Sequence, residues 1–164
     1  MTWRTLLQTR ASCWTVLVRL LIGLVVFFPE GIQKLAFPAA LGAGRFARIG
    51  IPFPDLMGPF VGEIICGALI IAGLLTRLAA IPLIIIMIVA IVSTKVPIWT
   101  AQDFWIFHVP KLDRYGFWSM AHEARADFTM LLGCIYLLIE GGGRCSIDAK
   151  LAGAHRRLMT EAWQ

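Results

Sequence analysis

The sequence predicts an all-α, polytopic membrane protein of four spans, and three observations carry that prediction. Hydrophobic residues fill 59% of the 164 positions and charged residues only 15%, with a mean hydropathy of +0.77. A soluble domain of this size is far less apolar. Four apolar runs, at about 14–37, 56–75, 78–96 and 120–140, supply close to the ~20 residues or more that a helix needs to cross hydrocarbon. The segments between them are rich in turn formers or in aromatic and charged residues.

The 15 Lys and Arg against 10 Asp and Glu give a net charge of +5. In so apolar a chain this reads as loop charge facing anionic membrane lipid. No stripe of stacking aromatics runs among the basic residues, so nucleic acid is not an expected partner.

The first span follows a basic start at Arg4 and Arg10. A cleaved signal peptide would look similar, but Arg19 interrupts the run, no small-residue cleavage pattern follows, and hydrophobicity resumes at Leu35. A retained helix is expected, loosened near Pro29. Residues 1–13 form an N-terminal segment before it. From Pro38 to Pro59, six further Gly and Pro residues exclude a regular span and mark the first loop.

In the second span, Gly58, Gly62 and Cys66 make a small-residue stripe for close helix packing. Glu63 is the only charge there, about 10 Å into a core of about 30 Å. Thr76-Arg77 makes so short a turn that the third span must return beside the second as an antiparallel hairpin. The connection to the fourth span carries Trp99, Phe104, Trp105, Phe107, Tyr115, Phe117 and Trp118, an interfacial aromatic belt. The last span ends at Gly141-Gly142-Gly143, and 149–164 form a basic tail suited to headgroups.

The fourth span carries His122, Glu123, Arg125 and Asp127 into a run that becomes fully apolar by Met130. Ionisable groups persist at such depth only if they neutralise one another or face a polar cavity. Four spans place both termini on one side. That side holds eight Lys and Arg (Arg4, Arg10, Arg19, Arg77, Arg144, Lys150, Arg156, Arg157) against six on the other (Lys34, Arg45, Arg48, Lys95, Lys111, Arg114), which favours cytoplasmic termini.

Glu30, Lys34, Glu63, Lys95 and the 122–127 cluster then fall in one layer in the outer part of the membrane. Glu30 and Lys34 stand four apart and share a helical face. Four carboxylates face three firm cations, and His122 can balance the count. Such a layer offers the donors and acceptors that bind a quinone headgroup or relay protons. The same charges also serve a network that only specifies helix packing.

Cys13, Cys66, Cys134 and Cys145 form no C-x-x-C pair and no metal-ligand spacing with the three histidines. No metal site is expected, and no cysteine pair for a thiol relay. Cys66 and Cys134 lie in apolar runs, where a free thiol acts as a small hydrophobe; a redox or soft-metal role requires them to meet in space.

Several motifs, taken in order, resemble the DoxX family of small bacterial membrane proteins. They are Arg19-x3-Gly23, Gly31-x2-Lys34, Gly58-Pro-Phe-Val-Gly-Glu63 leading to Gly73-Leu-Leu-Thr-Arg77, Met87 through Thr94-Lys95, and His122-Glu-Ala-Arg-Ala-Asp-Phe128 with Ser146-Ile-Asp148. The resemblance spans about residues 15–148 and implies a four-helix membrane bundle over 14–148, in the bacterial inner membrane. It further implies a subunit of a quinone-linked or thiol-linked redox assembly, since the family name derives from a subunit associated with a quinol oxidase and with thiosulfate:quinone oxidoreductase. In that reading Glu30, Lys34, Glu63, Lys95, His122, Glu123, Arg125 and Asp127 line a polar intramembrane pocket for a quinone or a small sulfur compound. With no flavin, haem or iron–sulfur signature in the sequence, the chain is expected to be an accessory subunit beside an oxidoreductase partner. The alternatives are a non-catalytic membrane anchor or scaffold, and a small-solute or metal-ion permease that needs a homo-oligomer to form a path.

Overall fold

A computed structural model describes residues 12–48, 62–104, 107, 109 and 111–153. Helix α1 spans Thr15–Ala36, α2 is a short helix at Ala43–Arg48, and α3 is described over Gly62–Ala72. Helix α4 runs over Thr76–Thr100, α5 over Phe117–Glu140, and α6 covers 147–153. At about 1.5 Å per residue, α1, α4 and α5 are each long enough to cross a bilayer. Among the described residues, β-structure is limited to one bridge between Phe104 and Phe107 in the α4–α5 connection. The protein is an all-α membrane four-helix bundle of α1, α3, α4 and α5. Residues 56–61 of the expected second span, and Gly58 with them, lie outside the described residues.

The bundle closes on Ile22 and Val26 of α1, Cys66 and Ile70 of α3, Ala79, Ala80, Leu83 and Met87 of α4, and Met130, Cys134 and Leu137 of α5. Leu17, Leu21 and Phe28 of α1, Ile85 and Ile88 of α4, and Leu132 and Ile139 of α5 point outward. Apolar residues on both faces are what lipid on one side and helices on the other require. Because lipid tails are as apolar as Leu, close packing and polar contacts must hold the helices together. Gly62, Cys66 and Gly67 accordingly lie buried on α3.

One polar knot ties the end of the bundle where α1 starts. Arg19, only 3% exposed, donates from Nε to the Ile70 carbonyl (3.0 Å) and from Nη2 to that of Ile71 (2.8 Å). Its Nη1 reaches the carbonyls of Gly142 and Cys145, both at 2.9 Å. One guanidinium thus joins α1, the end of α3 and the loop after α5, using four of its five donors.

Beside it, Asp148 caps α4. Its carboxylate accepts from Leu75 N (2.7 Å), Thr76 N (3.0 Å) and Thr76 Oγ1 (2.9 Å), satisfying donors that a helix start leaves open. The turn between α3 and α4 has Gly73 at φ +69, and a Cβ there would stand 2.6 Å from Arg19 Cζ. The buried guanidinium therefore requires glycine at 73.

Candidate functional site

Toward the opposite end, three of the four bundle helices loosen into wider π-helical turns. These are Val26–Ile32 in α1, 62–65 in α3 and Ile91–Lys95 in α4. In α1 the cause is legible: Pro29 lies inside the widened stretch and has no N–H for the regular ladder. In α4, Thr94 Oγ1 donates to the Ala90 carbonyl at 2.6 Å, taking up an acceptor where the ladder changes step. Each widened stretch contains one charged candidate residue: Glu30, Glu63 and Lys95 respectively.

Lys34 Nζ lies 2.5 Å from Glu63 Oε1 and 3.1 Å from Glu30 Oε2. Glu63 is 1% exposed and Lys34 is buried, while Glu30 is partly open. The approach of α1 to α3 depends on Gly31, where a Cβ would meet Ile64 Cγ1 at 2.8 Å. Lys95 Nζ pairs with Asp127 Oδ2 at 3.3 Å, with side chains 14% and 17% exposed. This second pair joins α4 to α5.

The rest of the cluster on α5 turns away. His122, Glu123 and Arg125 are exposed, and Arg125 Nη1 donates to the His122 carbonyl of its own helix. The inward stripe of α5 is Ala124, Asp127, Met130, Cys134 and Leu137, at spacings of three and four. Asp127 is the one charge on that stripe. Among the described residues, ion pairs therefore join Glu30, Lys34 and Glu63, and separately Lys95 and Asp127.

A Cys13–Cys145 disulfide, with Cα atoms 5.2 Å apart, links the start of α1 to the loop after α5. The pair is one that no C-x-x-C spacing announces, and only a meeting of Cys66 with Cys134 was considered from the sequence. Cys13 and Cys145 are 132 residues apart, but each lies just outside a span end on the terminal side, and that shared side was the available signal. Cys66 and Cys134 lie outside the disulfide, buried in one core cluster. Among the described residues, no group of three or more His, Cys, Asp or Glu is placed to hold a metal ion. The Arg19 and Asp148 knot was also missed as a unit, because its acceptors are mostly backbone atoms.

A sequence model of the family described as DoxX matches residues 14–96. That stretch includes the first three spans and the residues Glu30, Lys34, Glu63 and Lys95. A protein of Mycobacterium tuberculosis (strain ATCC 25618 / H37Rv), described as "Uncharacterized membrane protein Rv3486", is 49% identical over 154 residues, covering 92% of this chain and 88% of that protein. No solved structure matches the chain. With the family match over the first three spans and this relative extending through the fourth, the chain is an integral membrane protein that belongs to the DoxX family.

Proposed function

We propose that the chain is an accessory subunit of a redox assembly in the bacterial inner membrane, and that its ion-paired layer binds the headgroup of a quinone or of a small sulfur compound. The observation that carries this reading is Glu63, a carboxylate 1% exposed on a widened helical turn, facing a Lys34 ammonium that follows another such turn. Widened turns sacrifice regular hydrogen bonding and recur at functional sites. A lock between helices can be built on regular turns, so three widened ones at this level favour a site.

The donor set suits such a headgroup. Lys34 and Lys95 offer N–H donors to carbonyl oxygens, and Glu63 and Asp127 accept from hydroxyls and take up protons. A quinone, when bound, supplies the electron-accepting chemistry, while these residues orient it and hold protons. Electrons come from a partner oxidoreductase. Cytoplasmic termini, supported by eight Lys and Arg against six, place the layer toward the outer face.

A scaffold is the second reading, favoured because Lys34–Glu63 ties α1 to α3 and Lys95–Asp127 ties α4 to α5. Mass spectrometry of proteins and lipids that co-purify with the wild type and Glu63→Gln in mild detergent separates the two. Stoichiometric quinone with an oxidoreductase in the wild type, and loss of the quinone from an assembled Glu63→Gln protein, support the redox subunit. A wild type carrying neither overturns it, and failure of Glu63→Gln to assemble favours the scaffold.

A further inference from the structure

We propose that Cys13 and Cys145 form an exchangeable disulfide, a site at the terminal end of the bundle that low-molecular-weight thiols open and their disulfides close. The site lies at the opposite end from the Glu63 layer and is independent of the quinone reading.

Accessibility is the first support. Cys13 and Cys145 are exposed, whereas Cys66 and Cys134 are buried, so a small thiol meets the bonded pair and not the buried cysteines. Exposed disulfides are the labile class.

The second support is that the pair is held in register by contacts other than the disulfide. Arg19 grips the Cys145 carbonyl at 2.9 Å, and Ser146 Oγ donates to the Gly143 carbonyl at 2.6 Å. Asp148 anchors the following residues to Thr76. On the other strand of the clasp, Val16 N donates to the Cys13 carbonyl at 3.1 Å as α1 begins. Reduction therefore removes a covalent link while the Arg19 and Asp148 knot keeps the bundle closed, and the two sulfurs stay placed to re-form the bond.

Charge is the third support. Arg144 precedes Cys145, and the Arg19 guanidinium binds the Cys145 carbonyl. Positive groups near a cysteine favour its thiolate, the form in which it leaves and attacks.

The exchange balances without another reagent. A thiolate attacks one sulfur of the pair, forming a mixed disulfide, and the other cysteine leaves as a thiolate that takes up a proton. A second thiolate attacks the small molecule's sulfur in that mixed disulfide, giving the small disulfide and freeing the second cysteine. Two electrons pass from two thiols to the protein, and the reverse sequence closes the clasp. With cytoplasmic termini, as proposed above, the reductant is the cell's thiol pool.

The test uses purified full-length protein in detergent, equilibrated with glutathione and glutathione disulfide over a range of ratios, quenched with acid and labelled with PEG-maleimide after denaturation. The proposal expects two more adducts on the reduced than on the oxidised protein, reversal on returning the ratio, and loss of the two-adduct transition in both Cys13→Ser and Cys145→Ser, where the remaining cysteine changes by one adduct at most. A pair that stays closed or stays open across the whole range overturns it. Peptide mapping of wild-type protein trapped during exchange covers the case in which either variant fails to fold: glutathione on Cys13 or Cys145 supports the proposal, and glutathione only on Cys66 or Cys134 overturns it. Labelling of reduced cells with a membrane-impermeant maleimide reads the orientation separately, so an outward-facing pair removes cytoplasmic termini and leaves the exchange standing.

Discussion

Lys34 on α1 and Glu63 on α3 meet at 2.5 Å, and Glu30 shares the same ammonium at 3.1 Å. Two helices that would otherwise meet through apolar contacts are thus joined by a buried charge pair. Removing one member of such a pair strands the other and costs about 3–5 kcal/mol, whereas replacing both with apolar groups is often neutral. Glu63→Ala leaves the buried Lys34 with only the partly open Glu30 and is therefore expected to lower detergent-phase thermal stability, though by less than a fully stranded charge would. The double variant Lys34→Met/Glu63→Leu is expected to recover most of that loss, and to lose any bound quinone. A double variant no more stable than Glu63→Ala, measured by the same melt, would contradict the pairwise account.

Arg19 tests a different geometry. Lys at this position keeps the charge but cannot span the Ile70, Ile71, Gly142 and Cys145 carbonyls with one planar fork. Arg19→Lys is expected to cost on the order of 2–4 kcal/mol, because buried acceptors lose charge-assisted bonds. Chemical denaturation in mixed micelles reads this, and a variant within about 0.5 kcal/mol of wild type would show that the knot is dispensable.

The Asp148 cap predicts a graded series. Thr76→Val removes one hydroxyl bond and is expected to cost about 1 kcal/mol. Asp148→Ala removes three acceptor contacts at the start of α4 and is expected to cost about 2 kcal/mol or more. Equal losses for the two variants would mean that the backbone contacts contribute little.

On α5, His122→Ala, Glu123→Ala and Arg125→Ala are expected to leave the melting temperature essentially unchanged, since all three side chains are exposed. Asp127→Ala should lower it, and the exchanged pair Lys95→Asp/Asp127→Lys should restore part of the loss by rebuilding the α4–α5 contact. A lower melting temperature for His122→Ala would place that residue in a contact this arrangement does not contain.

Much of this arrangement is legible before any coordinates. Pro29 marks where α1 widens, and the spacing of Glu30 and Lys34 foretells their 3.1 Å contact. The 122–127 cluster shows where spacing stops being informative. Glu123 and Asp127 lie about 40° apart on an ideal helix, yet Glu123 is exposed and Asp127 pairs with Lys95. What separates them is the position of α4 beside α5, which no local pattern encodes.

By itself the sequence determined the all-α membrane class and the inventory: the apolar runs, the turn formers between them, and the ionisable groups that lie in or beside those runs. Those follow from composition and short-range periodicity, because the cost of exposing backbone or charge to lipid acts on each segment separately. The tertiary structure decided the partners. Lys34 with Glu63, Lys95 with Asp127, Asp148 with Thr76 and Cys13 with Cys145 join positions 29 to 132 residues apart. Such pairings depend on how the helices are rotated and stacked, and that is set by packing over the whole bundle.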